Sequence, residues 1–297
     1  MGVVLGVPAA VLALFIMPAL QPGIDWGIGI MVVGVAGYLI VTSDSPGWSL
    51  GIFSLSGLLG IFCFRYSYLS WNTLGEGSVL MPLLSGLFGI ALLSNAGSGQ
   101  FPAQRYTGTG ISTREMARSS FVGSIAGALV GWLPGLSNAT ANAVLTPFVG
   151  TENRERCFIA ATGAANTANA LLGLAALYAL ERTRNGVMVA ISMQEIPPFT
   201  ALLFTGCVAA SCSYGIAVTI AGKAGFFHGI DVKKLNIVVI AIITVLSILL
   251  CGPFGILILC LATAIGYAPS LLNLQRVSCM GAIMVPLVLF SFGVLSW

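Results

Sequence analysis

Residues 119–151 read SSFVGSIAGALVGWLPGLSNATANAVLTPFVGT, a stretch without a charged side chain and with Pro134-Gly135 near its middle. As one helix its about 33 residues would rise ~50 Å, well beyond the ~30 Å of a bilayer's hydrocarbon. The stretch is too short for two full spans and the loop between them. Proline removes a backbone donor and glycine frees the turn, so it reads as a broken helix or re-entrant hairpin with its tip near 134–137. Irregular backbone at that depth is tolerated only inside protein or against a cavity.

The flanking sequence places this stretch in a membrane. Of the 297 residues, 57% are hydrophobic and 7% are charged, against about 25% charged in soluble domains. Such a composition excludes a soluble enzyme, a nucleic-acid binder and a disordered chain. Further charge-free runs cover 1–24, 26–43, 45–64, 77–104, 157–180, 196–222, 235–275 and 277–297. Each reaches the ~17 residues that span a bilayer, and their continuity excludes a β-barrel's alternation. The fold class is all-α: a polytopic helical membrane protein.

Apolar helices are expected at 2–19, 26–43, 47–64, 78–95, 157–180, 197–222 and 277–296, with polar turns at Gln21-Pro22-Gly23 and at 43–47. Run 235–275 divides at Gly252-Pro253 into a full helix and a shorter one. This makes about nine transmembrane helices plus the re-entrant hairpin. They form a single integral membrane domain, 1–297, with N-terminal helices over 1–95, the hairpin and a polar helix over 119–180, and C-terminal helices over 197–297. Ser112 and Glu115 have the spacing of a capping box that starts a helix. With no Lys or Arg before Arg65, the first segment reads as a retained helix rather than a secretory signal.

The 12 cations test the hairpin. If 119–151 returns to its own side, Arg105, Arg114, Arg118, Arg154, Arg156, Lys223, Lys233, Lys234 and Arg276 share a face, leaving Arg65, Arg182 and Arg184 opposite. A single crossing would instead split the charges almost evenly. Positive residues collect on the cytoplasmic side, which favours the hairpin and a cytoplasmic N-terminus in a plasma-membrane protein.

Two neighbouring segments carry the informative polar side chains. One holds Pro134, Gly135, Ser137, Asn138, Thr140 and Asn142; the other holds Thr162, Asn166, Thr167 and Asn169. Thr162, Asn166 and Asn169 fall at i, i+4 and i+7, one face of a helix, and Asn138 and Asn142 are likewise four apart. Amides do not face lipid unpartnered, so both stripes look inward. A helix restarting after Pro134-Gly135 would present free N–H groups and a positive dipole end, as broken transporter helices do to carboxylates. The same amides and hydroxyls could hold Na⁺ as a coupling ion. Neither segment contains an acidic residue, which argues against a proton relay through a carboxylate there.

The plainer alternative makes these Asn and Thr side chains interhelical hydrogen-bond glue. Glu195 before Pro197-Pro198 can simply complement a helix dipole. Arg65, Tyr66, Tyr68 and Trp71 fit an interfacial belt, Arg182 and Arg184 a solvated loop, and His228 an interface. The seven cysteines stand singly in apolar segments, which suits small hydrophobes rather than metal ligands. No Ser/His/Asp or Cys/His arrangement lies inside the membrane, so neither an enzyme nor an organic cofactor is expected. Ser56-Gly57-Leu58-Leu59-Gly60-Ile61 echoes in Ser85-Gly86-Leu87-Phe88-Gly89-Ile90, which reads as two close-packing faces.

Gly127-x3-Gly131-x2-Pro134-Gly135, the Asn-rich stretch Gly163–Asn169 and Pro82–Gly89 together resemble archaeal members of the TctA family. That family forms the large membrane subunit of tripartite tricarboxylate transporters. The resemblance implies secondary uptake, by symport, of carboxylates such as citrate, with a small membrane subunit and a solute-binding protein as partners. Family members usually carry two Pro-Gly-containing halves, so the chain resembles the later part of a longer member. A separately encoded first half or a second copy of the chain would then complete it. Two other readings stand beside a di/tricarboxylate permease: a translocase of a lipid carrier such as polyprenyl phosphate, and a non-transporting scaffold subunit. Fluorescent-protein fusions ending after Arg118 and after Lys234 should both report the cytoplasm, and an alkaline phosphatase fusion after Thr183 the opposite side. Opposite sides for Arg118 and Lys234 would mean that 119–151 crosses once.

Overall fold

The computed structural model describes residues 2–71, 79–96, 108, 110–132, 154–183, 185–193, 195–223, 225 and 231–294. The hairpin tip, with Pro134, Gly135, Ser137, Asn138, Thr140 and Asn142, lies outside the described residues, as do Arg184 and His228. What is described is helical, with no strand among those residues. Five helices are long and apolar enough to cross a membrane, and Gly27–Val41, Leu80–Asn95 and Arg276–Ser291 are shorter apolar segments.

In chain order the helices are α1 (Gly2–Val41), α2 (Pro46–Arg65), α3 (Leu80–Asn95), α4 (Thr113–Trp132), α5 (Arg154–Leu180), α6 (Gly186–Ser192), α7 (Phe199–Gly222), α8 (Val232–Leu271) and α9 (Gly281–Ser291). The expected turn at Gln21-Pro22-Gly23 does not interrupt α1, which runs through Pro8, Pro18 and Pro22. A proline costs a helix one donor and a clash with the preceding turn, which it can accommodate by bending rather than ending. The charged segment before α5 is also partly helical, since α5 begins at Arg154. Short α6 was not foreseen; Asn185 caps it by accepting from the Met188 N–H at 3.0 Å.

The helices gather into two compact units, one formed by residues 1–28 and 105–224 and the other by 29–104 and 225–297. In the second unit, α8 contains the break read from Gly252-Pro253. Gly252 has φ 62° and ψ −152°, a region open essentially to glycine alone. The chain folds back there. A Cβ on Gly255 would stand 2.6 Å from the Ser247 carbonyl oxygen, so residues eight apart in sequence are neighbours in space. The Trp71 N–H donates to the Cys251 carbonyl at 3.4 Å and takes up an acceptor that the break frees. Helix α3 lies along both arms. Asn236 donates to the Leu93 carbonyl at 3.2 Å on the first arm, and Gly86 sits 2.8 Å, measured from its would-be Cβ, from the Leu259 carbonyl on the second.

Both echoed motifs are packing faces. In α2, a Cβ on Gly60 would overlap the Ala282 carbonyl, and in α3, Gly86 meets Ala262 and Leu259. The α3 copy adopts a π-helical turn over Ser85–Ile90. Leu83, Leu87, Ile258 and Ala262 form the surrounding core with Cys63 and Cys279. Burial of these thiols among apolar side chains fits the role read from their isolated positions.

In the first unit, α4 and α5 run parallel. A Cβ on Gly123 would overlap the Ala161 carbonyl oxygen, and one on Gly127 the Ala165 carbonyl oxygen. Gly131 then meets Leu172 and Asn169. Both sets of numbers rise together, so the helices start at the same end, where Ile111 packs on Cys157 and Gly110 leaves room for the Arg156 guanidinium. Helices α4 and α5 therefore start on the same side of the first unit. Two helix N-termini side by side would repel, and Glu115 and Glu155 in the first turns offset this. The capping box forms: Ser112 N–H donates to Glu115 Oε2 at 2.9 Å, and Glu115 N–H to Ser112 Oγ at 3.2 Å.

These contacts rank the glycines. Gly127→Val should destabilise the protein by about 1–3 kcal/mol or more, the usual range of overpacking. Gly252→Ala should cost ~1–3 kcal/mol through backbone strain, whereas Gly163, with open space about its Cβ position, should tolerate alanine. Thermal unfolding in detergent measures all three, and a Gly127→Val melt equal to wild type would contradict the close α4–α5 seam.

Candidate functional site

Helix α5 carries the described half of the expected site, and two neighbours hold it by adjoining faces. On one, Gly2 and Gly6 of α1 meet Ala164, Thr167 and Leu171; a Cβ on Gly2 would lie 3.0 Å from the Ala164 Cα and 3.1 Å from the Thr167 Cβ. On the other, Gly123, Gly127 and Gly131 of α4 meet Ala161, Ala165 and Asn169. Ala10, Ala13 and Met17 continue the first contact against Leu171, Leu172 and Ala175. Small side chains on both faces let α5 sit close to its neighbours without a large apolar residue between them.

The expected stripe is real as a helix face, but its members have different surroundings. Thr162 Oγ1 is buried and has no hydrogen-bond partner among the described residues. Asn169 is half-buried, and its Oδ1 lies 3.3 Å from where a Gly131 Cβ would be. Asn166 is exposed on the same stripe. Thr167 belongs to the face toward α1, and its hydroxyl donates to the Gly163 carbonyl at 2.9 Å. The structure thus brings Asn169 to the α4–α5 seam, buries the Thr162 hydroxyl, leaves Asn166 exposed, and turns Thr167 toward α1.

Three residues of α4 were not foreseen. Ser119, Ser120 and Ser124 are buried, with 2%, 3% and 8% exposure, and Ser124 Oγ has no partner among the described residues. Their signal was legible in sequence: Ser120 and Ser124 stand four apart beside Gly123, Gly127 and Gly131, one small and hydroxylated face within an apolar run. Ser124 and Thr162 each follow a residue of the α4–α5 contact, Gly123 and Ala161 respectively.

Glu195 is exposed before α7. Tyr66, Tyr68 and Trp71 are exposed at 39%, 75% and 67%. The end of α5 is tied down instead by Tyr178, whose hydroxyl donates to the Pro197 carbonyl and whose ring packs edge-on against Phe199. Among the described residues no three His, Cys, Asp or Glu side chains are grouped to hold a metal. What the seam offers chemically is neutral: amides, hydroxyls and carbonyl oxygens, on a helix without charge from 157 to 180.

No curated protein and no solved structure matched the chain. The pattern of one family, described as the tripartite tricarboxylate transporter TctA family, matches residues 1–281. With nearly the whole chain covered, and with membrane-length apolar helices throughout, the protein belongs to the TctA family of tripartite tricarboxylate transporters.

Proposed function

We propose that this membrane protein is a secondary permease for small organic anions of the di- or tricarboxylate class, working by alternating access. The observation that carries this reading is the stripe of Thr162, Asn166 and Asn169 on an uncharged helix held against α4 by glycine contacts. An amide turned toward hydrocarbon is costly, so the open side of α5 at Asn166 looks onto water, protein or substrate. Ser137, Asn138, Thr140 and Asn142 would complete the site, with the helix start after Pro134-Gly135 supplying N–H groups and a positive dipole end to the anion. Family membership supports the carboxylate class over a lipid phosphate.

The same reading extends to its setting. The protein would lie in the plasma membrane with a cytoplasmic N-terminus, couple anion entry to Na⁺, and work with a small membrane subunit and a solute-binding protein. No nucleic acid has a place in such an assembly.

Asn138→Ala and Asn166→Ala should each abolish uptake of labelled citrate while leaving membrane insertion intact; undiminished uptake by both variants would sink the site assignment. Binding to purified protein separates the substrate classes. Di- and tricarboxylates should bind more tightly with Na⁺ present, and a preference for polyprenyl phosphate would move the protein to lipid-carrier translocation.

A further inference from the structure

In the second unit, the later part of α1, the first half of α2 and α9 frame a groove of 510 Å³. Val33, Gly37 and Ile40 contribute from α1 at i, i+4 and i+7, and Leu50, Ser54 and Leu58 from α2 at i, i+4 and i+8. Gly37 widens the groove, since a Cβ there would have nothing within 4 Å among the described residues. Among the described lining residues Ser54 carries the only hydroxyl, and none is charged. Leu50 is 52% exposed and Leu58 63%, so the groove opens outward rather than into the helix packing.

The two helices fix where in a bilayer this groove lies. They join at 42–45, Thr-Ser-Asp-Ser, where Asp44 is exposed and the Ser43 and Ser49 hydroxyls share a hydrogen bond at 2.5 Å. A charged turn belongs in water. Tyr38 and Trp48, both exposed, stand within about one helical turn of it and suit the headgroup level. At 1.5 Å per residue Leu58 lies ~15 Å beyond Trp48, half of the ~30 Å of hydrocarbon. The groove therefore follows the depth of one leaflet, from headgroups to midplane.

Its width selects the occupant. Spread over the ~12 Å between Leu50 and Leu58, the volume leaves roughly 40 Å² of cross-section. An α-helix about 10 Å across needs about twice that, whereas carbon chains pack side by side at ~4 Å. A helix from a second copy is too thick, and it would need a seat through both leaflets rather than one.

We propose that this groove binds the hydrocarbon tail of one membrane lipid whose headgroup stays level with turn 42–45. Tail methylenes fill the space left at Gly37 and cover Val33, Leu50 and Leu58. Because lipid is as apolar as these side chains, hydrophobicity does not hold the tail; close packing in a concave wall does. Such a lipid stays bound, unlike those around α7, a helix with no buried residue. The proposal does not rest on the permease reading, whose residues Thr162, Asn166 and Asn169 belong to the first unit.

The test titrates full-length protein in detergent with phosphatidylcholine carrying a photoactivatable diazirine midway along one tail. Labelled peptides are mapped by mass spectrometry after irradiation. Labelling of segments 33–40 and 50–58 should saturate, whereas labelling of α7 should rise linearly with the lipid fraction. Gly37→Leu and Ser54→Leu, which fill the groove from its two walls, should each lower groove labelling roughly tenfold or more and leave α7 unchanged. Gly37→Leu should keep the wild-type melting temperature, because its position is open. Groove labelling that rises linearly alongside α7 would overturn the proposal and leave only unselective surrounding lipid. Undiminished labelling in both variants would overturn it as well, and so would groove peptides that stay unlabelled because protein covers them.

Discussion

Hydrocarbon offers no hydrogen bonds, and every arrangement described above answers to that fact. Backbone must close its own bonds as helix, so 57% apolar composition becomes a set of helices. Where a helix must break, the freed groups need partners brought from elsewhere in the chain. At Gly252 the partner is the Trp71 N–H, donated to the Cys251 carbonyl. At the α4–α5 seam glycine lets two backbones touch, and the contact sets the Ala161 and Ala165 carbonyl oxygens against Gly123 and Gly127 rather than lipid.

The same constraint shapes the candidate site. A membrane enzyme or transporter with buried charges would have to pair them, at a desolvation cost of several kcal/mol per ion. This protein avoids that cost by placing only neutral dipoles at the site segments. Neutral dipoles bind weakly one by one, so the geometry that gathers several of them matters more than any single residue. Glycine at positions 2, 6, 123, 127 and 131 supplies that geometry by bringing α1 and α4 close against α5.

Much of this was legible in the sequence. Charge-free runs marked the spans, Ser112 and Glu115 announced the start of α4, and Gly252-Pro253 announced the reversal within α8. These are local signals, set by neighbours a few residues away. Thr162, Asn166 and Asn169 were recognisable as one helix face for the same reason. Less legible was Pro22, which looks like a turn in sequence and sits within a helix in the structure; a proline's effect depends on whether surrounding packing accepts the bend. Ser120 and Ser124 share a face with Gly123 and Gly127 that the sequence does spell out, but their burial depends on α5, which is distant in the chain.

By itself, then, the sequence determined that the chain is a bundle of membrane helices, where most of them start and stop, and that its polar side chains cluster in two uncharged segments. Hydropathy and helix periodicity decide those properties one segment at a time. Only the tertiary structure decided that α4 and α5 run parallel with their starts together, and that Asn169 meets α4 while Thr167 faces α1. It also left two buried hydroxyls, Ser124 and Thr162, without a hydrogen-bond partner among the described residues. Those properties depend on which glycine meets which carbonyl between helices distant in sequence, and shape complementarity of that kind is written in no single segment.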